Sequence, residues 1–507
     1  MFNPQRKPKG FGKNKEKFES NNFNYKIKLE IANKKRTDKD FLQAIEIYKE
    51  IILFKPGLGE AYYNLGLSYK SINCISEAIK SFSKVLQIEP KNINTYLLLG
   101  NIYSELSDFE SAKNYYKKGL KLNPNEFLLL NGLGNNYHKE NRYEEAIKYF
   151  KSALKLVPND AGILNNLANS LVAISKFDDA IKNYSNAISK DPYTKEFHLN
   201  LAFAYFYSGN YTAGWKEYEH RNKYKKLNEV EIWNGQSLKP DQKLLIYSEE
   251  GLGDTIQFAR YAIYLKSKGI IFKLCVQEKL FTLIEQTSLK SNLLKSNTII
   301  DEKFDYQIGL ISLPRILKVT SKKILINRQY LSIPKNINDK WKLNFSKQNC
   351  RVIGINWQGN PKAETNSGYG RSIALEEFSL LAEIPQIKFL SLQKGFGSEQ
   401  LQKCSFRESF VDFQEEFNPI LDFLESASVI ENCDLVITTD TCTAHLAGSL
   451  GKKTWLILKK LPDWRWGING HETIWYKSIK IFRQTKNHSW LEVIEKLKES
   501  LINEFNF

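Results

Sequence analysis

The chain has 507 residues, with 73 Lys and Arg against 56 Asp and Glu, a formal charge of +17. That length calls for two to four domains, and the charge favours anionic partners such as nucleotide diphosphates, nucleic acid or acidic surfaces. Six scattered cysteines with no C-x-x-C argue against a disulfide framework or a zinc site, which points to reduced thiols in a cytoplasm, and no apolar run is long enough to span a membrane.

Residues 1–24 carry Arg6, Lys7, Lys9, Lys13, Lys15 and Lys17 with no apolar stretch, the pattern of a disordered basic tail rather than a secretory signal. From residue 25 to about 228 a repeat takes over. Pro56, Pro90, Pro124, Pro158 and Pro192 are each 34 residues from the next. A fixed period of that length is the mark of a helical repeat array. Around the prolines, Leu65-Gly66, Leu99-Gly100, Leu133-Gly134 and Leu167-Ala168 place a small residue on a first helix. Ala78 and Phe82, Ala112 and Tyr116, Ala146 and Phe150, and Ala180 and Tyr184 then fill the space from a second helix. The pattern resembles the tetratricopeptide repeat. Degenerate repeats flank it (Ala32, Ala44, Tyr48, Pro56 before; Leu201, Ala202, Tyr205, Tyr218 after), and most of these residues are core.

All nine tryptophans lie at or after Trp215, so the two halves are built differently. After a basic linker at 222–226, strands and helices alternate. Strands are predicted at Leu244–Tyr247, Ile270–Val276 and Ile308–Leu313, then, beyond a lysine-rich stretch from Lys318 to Lys347, at Val352–Trp357, Phe389–Gln393, Leu435–Thr438 and Trp455–Leu458. Helices are predicted at 255–268, 374–384, 418–431, 442–450 and 489–503. Two such series predict two α/β domains, at 229–345 and 346–507, facing a cleft. The fold class is therefore multidomain: an all-α solenoid followed by two Rossmann-like halves.

In parallel sheets ligands bind where the carboxyl ends of the strands meet their loops, and three loops carry suitable residues. In the first, Gly251 and Gly253 let a ligand approach the backbone ahead of a helix N-terminus. Ile256 stands where a dinucleotide fingerprint needs glycine, and no Gly-Lys-Ser/Thr follows. Asp254 there is either a general base or a helix cap. The second loop holds Gln358, Gly359 and Asn360 and runs on to Arg371, which either grips a diphosphate or is a surface arginine. The third gathers Asp440, Thr441, Thr443 and His445 at a helix start, a setting that suits phosphate or sugar.

Residues 240–500 resemble the bacterial heptosyltransferases, inverting glycosyltransferases of the two-domain GT-B fold. The resemblance rests on Gly-Leu-Gly-Asp-Thr at 251–255, Trp-Gln-Gly-Asn-Pro at 357–361, Ser-Leu-Gln-Lys-Gly at 391–395 and Asp-Thr-Cys-Thr-Ala-His-Leu-Ala at 440–447. Pro462 to Trp466 and Trp475-Tyr476 resemble the subgroup with tetratricopeptide repeats ahead of such a domain. The resemblance implies Asp254 as general base, Arg371 (an arginine where many relatives have lysine) and, less strongly, Lys394 on donor phosphate, and Asp440, Thr441, Thr443 and His445 lining the donor site. It implies a nucleotide-diphosphate sugar donor, no cofactor and no metal. Repeats joined to GT-B also resemble the protein O-linked N-acetylglucosamine transferases, in architecture only. Asn101, Asn135 and Asn169 recur 34 apart on first helices, as do Asn131 and Asn165. Such a ladder of amides, similar to the one in those transferases, could bind an extended protein or peptide acceptor. The alternatives are a repeat scaffold with a degenerate nucleotide-sugar-binding domain, and a nucleic-acid-associated repeat protein. The second is weaker, since no nucleic-acid-reading motif is present.

Overall fold

Why a 34-residue period folds as it does is visible in the turns of the structure, a computed structural model that describes residues 24–221, 226–297, 299–364, 370–485 and 489–507. The expected basic tail at 1–24 falls almost wholly outside these residues, as does most of the linker at 222–226. The chain forms two compact units, one comprising residues up to Glu140 with Lys148–Val157, the other Asn141–Ile147 with Pro158–Phe507.

The first unit holds α1 (Tyr25–Thr37), α2 (Phe41–Phe54), α3 (Gly59–Ser71), α4 (Ile75–Ile88), α5 (Ile93–Glu105), α6 (Phe109–Leu122), α7 (Phe127–Lys139) and most of α8 (Tyr143–Leu156). Each first helix ends on a residue with positive φ: Lys39, Asn73 and Ser107 lie 34 apart. Behind Lys39 the amide of Asp40 bonds to the Lys35 carbonyl (2.8 Å) and that of Lys39 to Arg36 (3.1 Å), a Schellman closure that turns the chain into α2. Glycines then let the two helices touch. A Cβ on Gly66 would lie 2.7 Å from the Phe82 ring, one on Gly100 2.4 Å from Tyr116, and one on Gly134 2.5 Å from Phe150. The small residue and the aromatic of the repeat signature are thus one contact, as the sequence predicts.

The second unit continues the array with α9 (Ala161–Ala173), α10 (Phe177–Lys190), α11 (Lys195–Tyr207) and α12 (Tyr211–Tyr218), with Ser175 and Gly209 again in left-handed turns. There follow β1 (Glu231–Ile232), β2 (Leu244–Tyr247), α13 (Leu252–Ser267), β3 (Phe272–Val276), α14 (Glu278–Ile284), β4 (Leu293–Lys295), β5 (Tyr306–Gly309), α15 (Leu313–Ile316) and α16 (Lys335–Ser346). The remainder is β6 (Arg351–Asn356), α17 (Pro361–Glu364), β7 (Ile387–Ser391), α18 (Gln414–Phe417), α19 (Phe423–Asn432), β8 (Leu435–Thr439), α20 (Cys442–Ser449), β9 (Thr454–Leu458), β10 (Ile479–Arg483) and α21 (Leu491–Phe505). Two wholly parallel sheets result, in the orders β1-β5-β2-β3-β4 and β10-β9-β8-β6-β7. Both are consistent with α/β domains, and β2, β8 and β9 are buried on both faces.

Several elements differ from expectation. The predicted strand at 308–313 ends at Gly309 and turns into a 3₁₀ segment and α15, where Pro314 at the helix start fits. The helix predicted at 374–384 is a 3₁₀ run, Leu375–Glu383. The helix predicted at 418–431 begins only at Phe423, where Asp422 caps it by accepting from Leu424 and Glu425 N–H. The strands β1 and β4, of two and three residues, are too short to read as periodic, and sequence reasoning misses the edge strand β10 although Ile479, Lys480 and Ile481 alternate in and out.

Candidate functional site

The first loop leaves the carboxyl end of β2 and enters α13. The Asp254 carboxylate reaches back to the Gly251 N–H (3.1 Å), so it does cap the helix from its third position. Its other oxygen accepts from the guanidinium of Arg465 at 2.5 Å. Arg465 follows β9, and it also donates to Asp463 (3.0 Å) and Gln257 (2.9 Å). Burial alone would make this guanidinium easier to deprotonate; Asp463 and Asp254 more than offset that and hold it charged. Desolvation first, and the like charge of Asp254 second, raise the pKa of the adjacent Glu250.

At the switch point of the second sheet, where β6 lies between β7 and β8, a buried amide network fixes the loops. Asn356 donates to Gln393 Oε1 (2.9 Å) and accepts from Thr441 (2.8 Å) and Thr438 (3.3 Å). The same Gln393 oxygen takes the Gln358 N–H (2.9 Å). Three strand ends are thereby held by one pair of side chains.

α13 and α20 meet N-terminus to N-terminus. A Cβ on Gly253 would stand 3.0 Å from the His445 ring, so glycine is needed for that approach. His445 stacks on Trp466 (5.1 Å) and its Nδ1 bonds with the Tyr476 hydroxyl (3.0 Å). Burial, then the charges of Arg465, Arg260 and Arg371, push its pKa well down, so the ring is neutral. Asp440 is buried; desolvation and then Asp463 raise its pKa against the pull of Arg371. The Nε of Arg371 is buried with no hydrogen-bond partner among the described residues, 3.8 Å from Glu364. Lys394 donates to the carbonyls of Phe417 (2.6 Å) and Asn418 (3.2 Å), lies over the Phe417 ring, and is pushed down to about 8 by burial.

These groups line one cavity of about 650 Å³ at the strand ends of both sheets, and every residue singled out from the three loops, together with Lys394, reaches it. One wall is apolar, with Phe396, Phe417, Leu421 and Phe423. Sequence reasoning missed Asp463, Arg465, Asn356 and Lys279 on its lining. The Trp-Arg-Trp run at 464–466 was the available signal for Arg465. That run is held by the last repeat: Phe206 stacks on Trp464 (4.1 Å), Trp215 meets it edge-on (5.4 Å), and the Tyr207 hydroxyl donates to the Pro462 carbonyl (2.6 Å).

The asparagine ladder behaves differently from the expected two-way amides. The Tyr116 hydroxyl donates to the Asn101 amide oxygen (2.7 Å) and the Tyr184 hydroxyl to that of Asn169 (2.5 Å), which commits the acceptor inside each repeat. Asn135 has Phe150 in place of that tyrosine. Asn165 is buried and accepts from Asn200 (3.0 Å), so it does not offer its amide oxygen to a groove. Asn131 also has a partner.

Residues 59–92, 97–161 and 165–218 match sequence models of the tetratricopeptide repeat, so this part of the chain is a repeat array of that type. Such arrays bind peptide or protein segments along an extended surface. The chain is 22% identical to protein FlbA of Caulobacter vibrioides over 284 residues, 51% of this chain and 46% of that protein; it thus spans about half of that relative's length. Among solved structures it is similar to MamA of Desulfovibrio magneticus RS-1 (19% identity, 32% of this chain and 91% of that one, TM-score 0.30). It is also similar to pilF of Pseudomonas aeruginosa (14% identity, 38% and 88%, TM-score 0.35). Scores this low carry no weight for function. Among the described residues no helix is long and apolar enough to cross a membrane.

Proposed function

We propose that the α/β half is a glycosyltransferase of GT-B type that moves a sugar, with inversion, from a nucleotide-diphosphate donor to an acceptor brought by the repeats. The observation that carries this reading is the convergence of Asp254, Arg371, Asp440 and His445 from three loops of two parallel sheets on one cavity. In this scheme an acceptor hydroxyl gives its proton to Asp254 while its oxygen bonds to the anomeric carbon. The bond from that carbon to the diphosphate oxygen breaks, and the pair leaves with the nucleotide. Arg371, whose Nε lacks a partner among the described residues, meets the growing charge, with the N-termini of α13 and α20 and the cation of Lys394. Neutral His445 and buried Asp440 offer hydrogen bonds to sugar or phosphate oxygens. The scheme calls for no metal in the cleft. A protein or peptide acceptor fits the repeat array, whose Asn101 and Asn169 keep their amide N–H groups for peptide carbonyls.

One observation favours the scaffold alternative: both oxygens of Asp254 are already engaged. Incubating the full chain with uridine, guanosine and adenosine diphosphate sugars, and reading nucleotide diphosphate release and the intact mass of added protein acceptors, separates the two. Release that Asp254→Asn abolishes supports the transferase. Donor binding without any release by the unaltered chain leaves the scaffold; no binding at all removes both readings.

A further inference from the structure

Away from the cleft, the last repeat brings two histidines and a carboxylate together. His198 lies on α11. Glu217 stands in the last turn of α12 and His220 just beyond its C-cap, Glu219. One ligand atom from each falls within 4.8 Å of the other two. The His198 Nδ1 is 2.7 Å from Glu217 Oε2, and its Nε2 is 3.1 Å from the carbonyl of Pro192, one of the register prolines. The His220 ring lies parallel to that of His198, 3.7 Å away.

The hydrogen-bond inventory makes this arrangement incomplete. A neutral imidazole carries one N–H. Here its two nitrogens both face oxygen acceptors, so one contact must hold a further positive centre. With Nε2–H given to Pro192, the Nδ1 lone pair and the Glu217 carboxylate face each other 2.7 Å apart, a contact that needs a proton or, once the pair opens, a metal ion between them. That is also how a metal-bound histidine is commonly held, its second nitrogen donating to a backbone carbonyl.

We propose that His198, Glu217 and His220 bind a divalent transition metal of the zinc class. Two imidazoles and one carboxylate are the donor set zinc accepts, at about 2.0–2.2 Å each, with a fourth position left for water or another ligand. Binding needs the His198–Glu217 pair to open slightly and the exposed His220 ring to turn out of its stack. His198 is buried and fixed by Pro192, so it would be the anchor. The metal would tie α11 to the end of α12 immediately before Arg221. That guanidinium grips both Glu249 oxygens (2.9 and 2.7 Å) two residues ahead of Gly251. The metal would therefore brace the chain that leads into the first loop without entering the cleft.

The test is titration of the chelator-stripped full chain with cobalt(II), read by its visible d–d absorption, and then displacement by zinc(II). The unaltered chain should show one saturable site of intensified, low-symmetry cobalt spectrum and a raised unfolding temperature. Glu217→Gln and His220→Ala should each weaken it by at least about tenfold. His220 is exposed, so its replacement spares the core even if His198→Ala does not fold. Absence of any cobalt site overturns the proposal and leaves a histidine–carboxylate hydrogen bond. A site untouched by both substitutions, or one with thiolate charge-transfer bands, overturns it equally, because the metal is then elsewhere.

Discussion

Asp254→Asn and Arg465→Gln, singly and together, probe the contact on which the cleft depends. The partners are 2.5 Å apart, with side chains 23% and 11% exposed. A hydrogen bond between ionised groups in such a setting contributes about 1.5–3 kcal/mol. Asparagine still offers an oxygen to the Gly251 N–H, and Arg465 keeps Asp463 and Gln257. The stability loss for Asp254→Asn should therefore fall near the lower end, about 1–2 kcal/mol, and the two substitutions should couple by about that amount in a double-mutant cycle. A general base is worth more: its loss should cut turnover by about 10²–10⁴ fold, roughly 3–5.5 kcal/mol of barrier. Denaturant unfolding gives the first quantity; initial rates of nucleotide diphosphate release at saturating donor give the second, with donor affinity measured separately. If Asp254→Asn turns over within about threefold of the unaltered chain while losing the predicted stability, Asp254 only caps and pairs, and the base must be sought elsewhere, with the neighbouring Glu250 the first place to look.

Lys394 is charged below about pH 8 and loses its proton above it. An anionic donor prefers the charged form, so nucleoside diphosphate affinity should weaken as pH rises through that value, and Lys394→Met should flatten the profile as measured by calorimetry; a flat profile in the unaltered chain refutes the contact. Gly132→Ala should destabilise the first unit: its Cβ would lie 2.6 Å from the Tyr116 ring, which a Cβ on Gly100 would meet at 2.4 Å. Overpacking of about 1–3 kcal/mol outweighs the helix-propensity gain of about 1. Gly162→Ala, which meets only Asp160 at 3.3 Å, should be neutral or stabilising; urea titration of both variants checks the contrast. Replacing Asn101, Asn135 and Asn169 together by alanine should abolish modification of a protein acceptor and spare donor hydrolysis; normal modification assigns the groove another purpose.

The helices of the array were legible because prolines, small residues and aromatics recur at one spacing, and each marks a real contact. The left-handed turns recur at the same spacing, yet Lys39, Asn73, Ser107, Asn141 and Ser175 share no side-chain chemistry, so nothing in composition betrays them. The tyrosines that occupy Asn101 and Asn169 were in plain view fifteen residues downstream. Only the helix-pair geometry turns that separation into a hydrogen bond. In the second half, loops after strong strands were readable because glycines and polar clusters interrupt apolar runs. Arg465 was not, since its meeting with Asp254 spans 211 residues of sequence and depends on how the second sheet's loops fold back.

Helical solenoids need an end that hides their last apolar surface, usually a helix with a polar outer face. Here that lid is the α/β body: Phe206, Tyr211 and Trp215 are buried with Trp464 and Trp475 in one cluster. The final repeat is thus shared property, half array and half α/β body, and no cut after it would leave two contented pieces. A fragment ending near residue 221 would bare a sheet of aromatic surface and invite self-association. The reciprocal fragment would lose the wall that steadies Pro462 to Trp466. Exchange of arrays between such proteins is then easier at an earlier inter-repeat turn than at the visible change in composition.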